Sequence, residues 1–300
     1  MAMHGVIGLS DGWIDLTRTK AEPARLVAIA GPPSSGKTRL LETLVAAKEA
    51  AAPYGPTPSS NDWIASGKAG AKVTVEWWLD ADEIAYAGTE SAFQTAETSF
   101  AKDKLPRTSA DPGLTAILAR YDHAPETAKV DYFPADRAIP RLAPKLGNVV
   151  AHQRLVRLAA GPHKYGALVK WATELARTAA LEWQRLTELF ERLTRGRRVV
   201  APSQGPGLAF ETSRGELVDV HQLGNADRMA FLFAAGVLMV GLERSVVLVD
   251  TPELHLPPEQ SSRMLAELLA ACPSSQWIVA THDPRTIEMA ETVVHLGERR

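Results

Sequence analysis

Eight consecutive residues constrain this chain more than any others. Gly31-Pro32-Pro33-Ser34-Ser35-Gly36-Lys37-Thr38 fits G-x-x-x-x-G-K-[ST] at every fixed position. The glycines let the backbone curl until its N–H groups converge on phosphate oxygens. A helix starting at the second glycine offers its positive end to the same anion. Lys37 is placed to neutralise β/γ-phosphate charge, and the Thr38 hydroxyl to ligate Mg²⁺. Arg39, next in the same turn, completes the expected nucleotide-contacting set. The context agrees: Leu26 to Ala30 is an apolar run that reads as a buried strand. From Gly36 to about Ala51, Leu40, Leu41, Leu44 and Val45 share one helical face.

The rest of the chain alternates strands and helices. Lys72 to Leu79 and Val130 to Phe133 read as strands, whereas Ala81 to Pro125 follows no clear period. Val150 to Thr194 reads as helix, with apolar steps of three and four from Leu168 through Trp171, Leu175, Trp183, Leu186 and Phe190 to Leu193. That stretch predicts one helix of ~30 residues, ~45 Å long. A hairpin is expected around Ser213-Arg214-Gly215, then an apolar helix from about Ala226. Strands follow at Ser245–Asp250, Gln276–Ala280 and Thr292–Leu296, with helices at Ser261–Ala271 and near Thr286. This order implies a mostly parallel sheet with helices on both faces.

Charge and cysteine content narrow the function classes. Lys plus Arg number 33 against 35 Asp plus Glu, a net charge of -2. Such a balance supplies no field to hold duplex DNA unaided. The one dense basic patch, Arg192, Arg195, Arg197 and Arg198, reads most simply as a solvated helix end. A lone Cys272 excludes a disulfide framework and fits a reducing cytoplasm. Met1 to Asp15 has neither the basic start nor the apolar stretch of a signal peptide. The longest uncharged apolar run, Met229 to Leu242, is 14 residues, too short to span ~30 Å of hydrocarbon.

Two further segments carry chemistry. Val246 to Val249 is an apolar strand ending in Asp250; in a P-loop fold such a carboxylate lies beside the phosphate loop and holds Mg²⁺, and a strand-terminal aspartate capping a turn is the alternative. Thr281-His282-Asp283 ends the next strand, 32 residues on. One helix and one strand fill that gap, so His282 should emerge at the same sheet edge as Asp250 and could meet a γ-phosphate. A structural histidine is the alternative. Trp13 has two readings as well, an adenine-stacking aromatic or an ordinary half-buried tryptophan.

Asp250-Thr251-Pro252-Glu253-Leu254-His255-Leu256-Pro257-Pro258, followed by Thr281-His282-Asp283-Pro284, resembles the C-terminal motifs of ABC-type ATPases. The resemblance is nearest to the bacterial group that includes the ATPase domains of overcoming-lysogenisation-defect nucleases, with SMC-like proteins more distant. Tyr132 to Arg137 is similar to a strand-loop midway in that group. The resemblance covers 26–50 and 130–300 and implies an α/β fold: a P-loop NTPase with an ABC-type core, an antiparallel β-subdomain and a helical lobe. It implies a single domain over 1–300. Core and β-subdomain would occupy 1–140 plus 207–300, the helical lobe about 145–206, and a signature helix about 224–242. Two copies would sandwich two ATP molecules, each γ-phosphate meeting the partner copy's signature segment. Leu223-Gly224-Asn225-Ala226-Asp227 is the best match for that segment, with Gly224 and Asn225 in nucleotide contact.

Two departures shape the expected activity. Gly224 replaces the family's hydroxyl-bearing serine, and Ala226 replaces a glycine. Thr251 stands where the family has the glutamate that polarises water. A threonine hydroxyl is no general base near pH 7, and losing that role costs roughly 10²–10⁴ in rate. Glu253 and His282 are the remaining catalytic candidates. The expected protein is therefore a cytoplasmic ATP- and Mg²⁺-dependent ATPase whose homodimerisation gates a separate effector protein or a nucleic-acid transaction, with a defence or DNA-related role by analogy alone and nucleic acid possible but not indicated by charge. The alternatives are an ATP-binding scaffold or switch with little hydrolysis and, further off, the ATP-binding subunit of a membrane transporter or a small-molecule kinase.

Overall fold

The computed structural model describes residues 1–19, 22–120, 129–141, 156–201, 207–212, 214–254 and 256–297. Near the start, β1 (Ala2–His4) pairs antiparallel with β2 (Gly12–Trp13), and β3 (Thr17–Thr19) with β4 (Glu22–Pro23). β5 (Leu26–Ala30) is buried along its whole length and leads into α1 (Lys37–Ala51), which turns Leu40, Leu41 and Leu44 inward.

The strand expected at Lys72 to Leu79 is β6 (Gly70–Trp78), and the aperiodic stretch resolves into α2 (Ala81–Ala87), β7 (Phe93–Ala101), β8 (Arg107–Ser109) and α3 (Pro112–Ala119). β6 and β7 pair antiparallel over nine residues, from Gly70 opposite Ala101 to Trp78 opposite Phe93. Alternation in β7 escaped the sequence because its buried face carries Ala96 and Thr98 beside Phe100, and small or polar residues give weak hydrophobic contrast. The short helices are set by capping. Asp80 and Glu83 form a reciprocal capping box on α2, and Asp111 accepts from the Gly113 N–H on α3.

After β9 (Lys129–Phe133), the expected single helix divides into α4 (Leu168–Thr178) and α5 (Ala180–Thr194). Ala179, at φ -140 and ψ 83, is the hinge. Its N–H donates to the Leu175 carbonyl at 3.0 Å, and its own carbonyl accepts from Trp183 N–H at 2.9 Å, so one extended residue ends one helix and starts the next. The bend lets both helices pack on a third, a tertiary gain that local propensity does not encode. Residues 150–155 of the expected helix lie outside the described residues, as does Ser213 of the expected hairpin. That hairpin is present as β11 (Ala209–Glu211) and β12 (Leu217–Val218), joined by β10 (Val199–Val200).

The third helix is α6 (Asn225–Val240), buried nearly all round. The chain then runs β13 (Ser245–Asp250), α7 (Pro258–Ala271), β14 (Gln276–Ala280), α8 (Pro284–Met289) and β15 (Thr292–His295). The central sheet has the order β15-β5-β14-β13-β9 with every pair parallel, and an antiparallel layer has the order β2-β1-β6-β7-β8. Alternate residues of the central strands enter opposite cores. Val247, Val249 and Val279 join the core of α4, α5 and α6, while Leu248, Ile278 and Ile29 join that of α1 and the antiparallel layer. Phe190, Phe210 and Phe231 tie α5, β11 and α6 together edge-to-face, with ring centroids 4.9–6.2 Å apart. Each such pair adds about 0.5–1.5 kcal/mol beyond area burial. Among the described residues no helix is long and apolar enough to cross a membrane.

Candidate functional site

Strand order assembles the site. β14 lies between β5 and β13, and all three are parallel, so their C-terminal ends adjoin. Gly31 to Thr38 leaves β5, Asp250 ends β13 with Thr251 next, and Thr281 and His282 directly follow β14. Open α/β sheets bind ligands at this edge.

The loop takes the curl its glycines permit. Gly31 has φ 149 and Gly36 φ 96, and Ser34 is left-handed at φ 63. A Cβ on Gly31 would stand 2.4 Å from the Leu296 carbonyl oxygen, and one on Gly36 2.6 Å from that of Gly8. Both positions thus demand glycine for conformation and for space. Pro32, Pro33 and Ser34 form an exposed crest. Gly36 caps α1 without a side chain, leaving the first helical N–H groups for an anion. Lys37 is nearly buried, and its Nζ donates to the Gly31 and Pro32 carbonyls at 2.9 Å each. Burial lowers its pKa, and the Asp250 and Glu253 charges push the other way. Thr38 is exposed on the first turn. Arg39 turns elsewhere: its guanidinium lies 3.6 Å from Glu42 and 5.1 Å from the Trp63 ring centroid.

Asp250 is 1% exposed. Its Oδ1 accepts from the Thr251 hydroxyl at 3.0 Å, whereas its Oδ2 is buried without a partner. The Ser35 hydroxyl is likewise buried and unpartnered. Two orphaned polar atoms at one edge, with the Thr38 hydroxyl on the adjoining helix, fit a phosphate-bound divalent cation with oxygen ligands. Thr251 holds a left-handed backbone at φ 49, and its N–H donates to Ala280. Left-handed backbone is rare for a β-branched residue and is stored strain.

Glu253 is a brace. Its Oε2 accepts from the Thr281 hydroxyl at 3.0 Å and its Oε1 from the His282 N–H at 2.7 Å. The carboxylate thereby fixes the end of β14 to the loop after β13 and leaves the His282 ring exposed. Asp283 continues the fastening, accepting from the Thr286 hydroxyl at 2.9 Å and the Arg285 N–H at 3.2 Å.

Arg137 has a part that the sequence did not reveal. It is 5% exposed and donates to the Pro134, Asp250 and Thr251 carbonyls at 2.7, 2.5 and 2.8 Å. Its guanidinium also lies 5.2 Å from the Phe233 ring on α6. Burial depresses its pKa, opposed by the charges of Asp250 and Glu253. Its signal was the Tyr132–Arg137 strand-loop, but its role depends on β9 lying beside β13. Glu42, one turn beyond Thr38, is a second addition. Burial raises its pKa, Arg39 lowers it, and the Asp250 charge raises it again.

Two candidates stand apart from this edge. Gly224 opens α6, and both Gly224 and Asn225 are exposed. No hydrogen bond or ion pair among the described residues joins either to the phosphate loop; Gly224 instead edges a recess with Arg195, Arg197 and Arg263. Arg197 pairs with Asp227 at 3.0 Å, so part of the basic patch braces α6 rather than only meeting solvent. Trp13 lines a cavity with Arg25, Ser245 and Gln276, at the N-terminal ends of β5, β13 and β14. The adenine-stacking reading of Trp13 is therefore corrected: it stands at the opposite sheet edge from the phosphate loop.

Solved structures of similar shape include SMC heads. The SMC head domain from Thermotoga maritima matches with a TM-score of 0.56 and 12% identity, over 98% of this chain and 92% of that one. An SMC head bound to the C-winged helix domain of ScpA matches at 0.65 and 12%, over 99% and 93%. A third, from Pyrococcus furiosus, has an extended coiled coil and the C-terminal domain of ScpA, and matches at 0.62 and 12%, over 99% and 92%. No family model matches this chain, and no curated protein does. This chain has the SMC-head fold, an α/β P-loop NTPase architecture with added antiparallel sheets. At 12% identity the likeness speaks for fold alone.

Proposed function

We propose that this chain is an ABC-type ATPase that binds ATP with Mg²⁺. The carrying observation is the orphaned Oδ2 of buried Asp250 at the same edge as a glycine-curled loop, Lys37 and Thr38. Backbone N–H groups of 31–36 and the start of α1 would receive the phosphates. Lys37 would exchange its carbonyl contacts for phosphate oxygens, and Thr38 and Asp250 would hold the metal. When bound, Mg²⁺ would offset negative charge at the β/γ-phosphates.

The exposure of Gly224 and Asn225, away from their own loop, supports a signature segment that acts on a second copy. On this reading ATP pairs two copies, and pairing gates a separate effector protein in the cytoplasm. The SMC heads seen with ScpA domains are a precedent in shape for a protein partner. Membership of the overcoming-lysogenisation-defect group belongs to the same proposal and rests on Asp250–Pro258 and Thr281–Pro284, as does the division into one nucleotide-binding domain with a helical lobe.

One observation favours slow turnover. The Thr251 hydroxyl is spent on Asp250, and both Glu253 oxygens are engaged, which leaves His282 as the exposed titratable group on the loop after β14. The scaffold or switch reading is thus the second proposal. Nucleotide titration by calorimetry, with Lys37→Ala as control, tests the first: loss of ATP binding is expected, and unchanged affinity sinks it. Steady-state phosphate release separates the two, because turnover above ~1 s⁻¹ lies in the ordinary enzyme range and excludes a scaffold.

A further inference from the structure

The recess that Gly224 edges has a volume of about 450 Å³ and three arginines in its wall, Arg195, Arg197 and Arg263. The two carboxylates of the lining are engaged: Asp227 pairs with Arg197 at 3.0 Å, and Glu259 with Arg285 at 3.3 Å. Arg263 donates to the Arg192 and Leu193 carbonyls at 2.8 Å each, contacts that fix its guanidinium without cancelling its charge. Its Nε is buried without an acceptor. Arg195 is exposed, and its side chain makes no hydrogen bond or ion pair among the described residues. Burial lowers the Arg263 pKa, and the Arg195 charge lowers it further against the pull of Glu267. Two guanidinium groups that repel each other across one recess, with both of its carboxylates already paired, call for an anion. α6 opens into the same recess and no side chain caps it, so its first N–H groups add to the positive field.

The place of the recess says which anion. α6 leads through a short turn into the start of β13, so its first turn lies at the end of the sheet where Asp250 emerges. α7 starts soon after Asp250, at that same end. The phosphate loop leaves β5 there too, but α1 packs on one face of the central sheet and α6 and α7 on the other. Each copy thus carries, at one end, a loop built for phosphate and, across the sheet, a recess built for an anion. Two copies meeting end to end about a two-fold axis bring loop to recess twice.

We infer that Arg195, with the fixed Arg263 behind it, holds the terminal phosphate of the ATP bound by a second copy, in place of the hydroxyl that Gly224 lacks. The inference rests on the nucleotide reading above and adds to it the residue that makes pairing depend on ATP. ADP has no such phosphate and leaves the two guanidinium groups without their counter-ion.

Light scattering on the whole chain with saturating ATP and Mg²⁺, over a range of protein concentrations, reads pairing; calorimetry at concentrations where the chain is single reads ATP binding. Arg195→Ala should bind ATP as the parent does, yet pair roughly ten- to a hundredfold more weakly, the worth of a hydrogen bond to a charged group. Arg195→Lys keeps the charge without the planar fork and should fall between. With ADP all three proteins should pair equally weakly. Mixing Arg195→Ala with Lys37→Ala, at a concentration where neither pairs alone, should restore ATP-dependent pairing, because one junction then joins an intact loop to an intact arginine. Arg195 is exposed, so circular dichroism of its variants should match the parent. A parent that binds no ATP overturns the nucleotide reading and this inference with it, and a parent that binds ATP but stays single overturns the pairing. If the parent pairs and Arg195→Ala pairs equally well, or the mixture recovers nothing, the role of Arg195 alone is overturned.

Discussion

Arg137 donates one guanidinium N–H to the Asp250 carbonyl at 2.5 Å and another to the Thr251 carbonyl at 2.8 Å, across 113 and 114 residues of sequence. The same group reaches its own strand-loop at Pro134 and the Phe233 ring of α6. A single buried cation thus sets the backbone at the end of β13, where Asp250 must present its free oxygen.

Arg137→Ala leaves three buried carbonyls to find new donors, and each lost partner costs about 1–3 kcal/mol. A loss of roughly 3–5 kcal/mol is expected in chemical denaturation. Arg137→Lys retains charge but not the planar fork, so it should keep more stability while weakening the Mg²⁺ dependence of ATP binding. Unchanged Mg²⁺ dependence in a folded Lys variant would remove Arg137 from the site.

Glu253 is expected to act through position. Glu253→Gln keeps an acceptor for the His282 N–H, whereas Glu253→Ala strands that N–H and the Thr281 hydroxyl. The Ala variant should lose about 1–3 kcal/mol and the Gln variant less. Hydrogen exchange at the His282 amide reads the bond directly, and equal protection in all three proteins would contradict the brace.

On the proposed ATPase reading, Thr251 is the residue that limits hydrolysis. Thr251→Glu removes a β-branched residue from a left-handed position and supplies a carboxylate. Phosphate release should rise by roughly 10²-fold or more. A variant that binds ATP yet turns over no faster would show that Thr251 is not what limits hydrolysis.

Glu42 supplies a pH test. Burial and the Asp250 charge raise its folded pKa against the opposing pull of Arg39. A carboxyl raised on folding binds more protons in the folded state, so its contribution to stability falls as pH rises through its unfolded and folded values. Glu42→Gln should therefore raise Tm near pH 7.5, with the gain fading as pH drops toward the ordinary glutamate range. A gain equal at both pH values would assign the effect to packing.

Much of this was readable from the chain because it is local. The loop from Gly31 to Thr38 carries its own conformational demands, and Val246 to Asp250 reads as a buried strand from its apolar run. Of the antiparallel layer, β6 was readable at Lys72 to Leu79, but β7 was not, since it buries Ala96 and Thr98. Nor was the break at Ala179, where no glycine or proline signals a hinge and packing on α6 decides.

The sequence by itself determined a phosphate loop between a strand and a helix, an acidic strand end, and a parallel sheet to hold them, because glycine freedom and hydrophobic period act within a few residues. Tertiary structure decided the rest: that β14 lies between β5 and β13, that Glu253 braces His282, that Arg137 clamps Asp250, and that Trp13 faces a second cavity. Those outcomes depend on which strand lies beside which, and strand order is set by burying both faces of one sheet at once, a condition that no local segment carries.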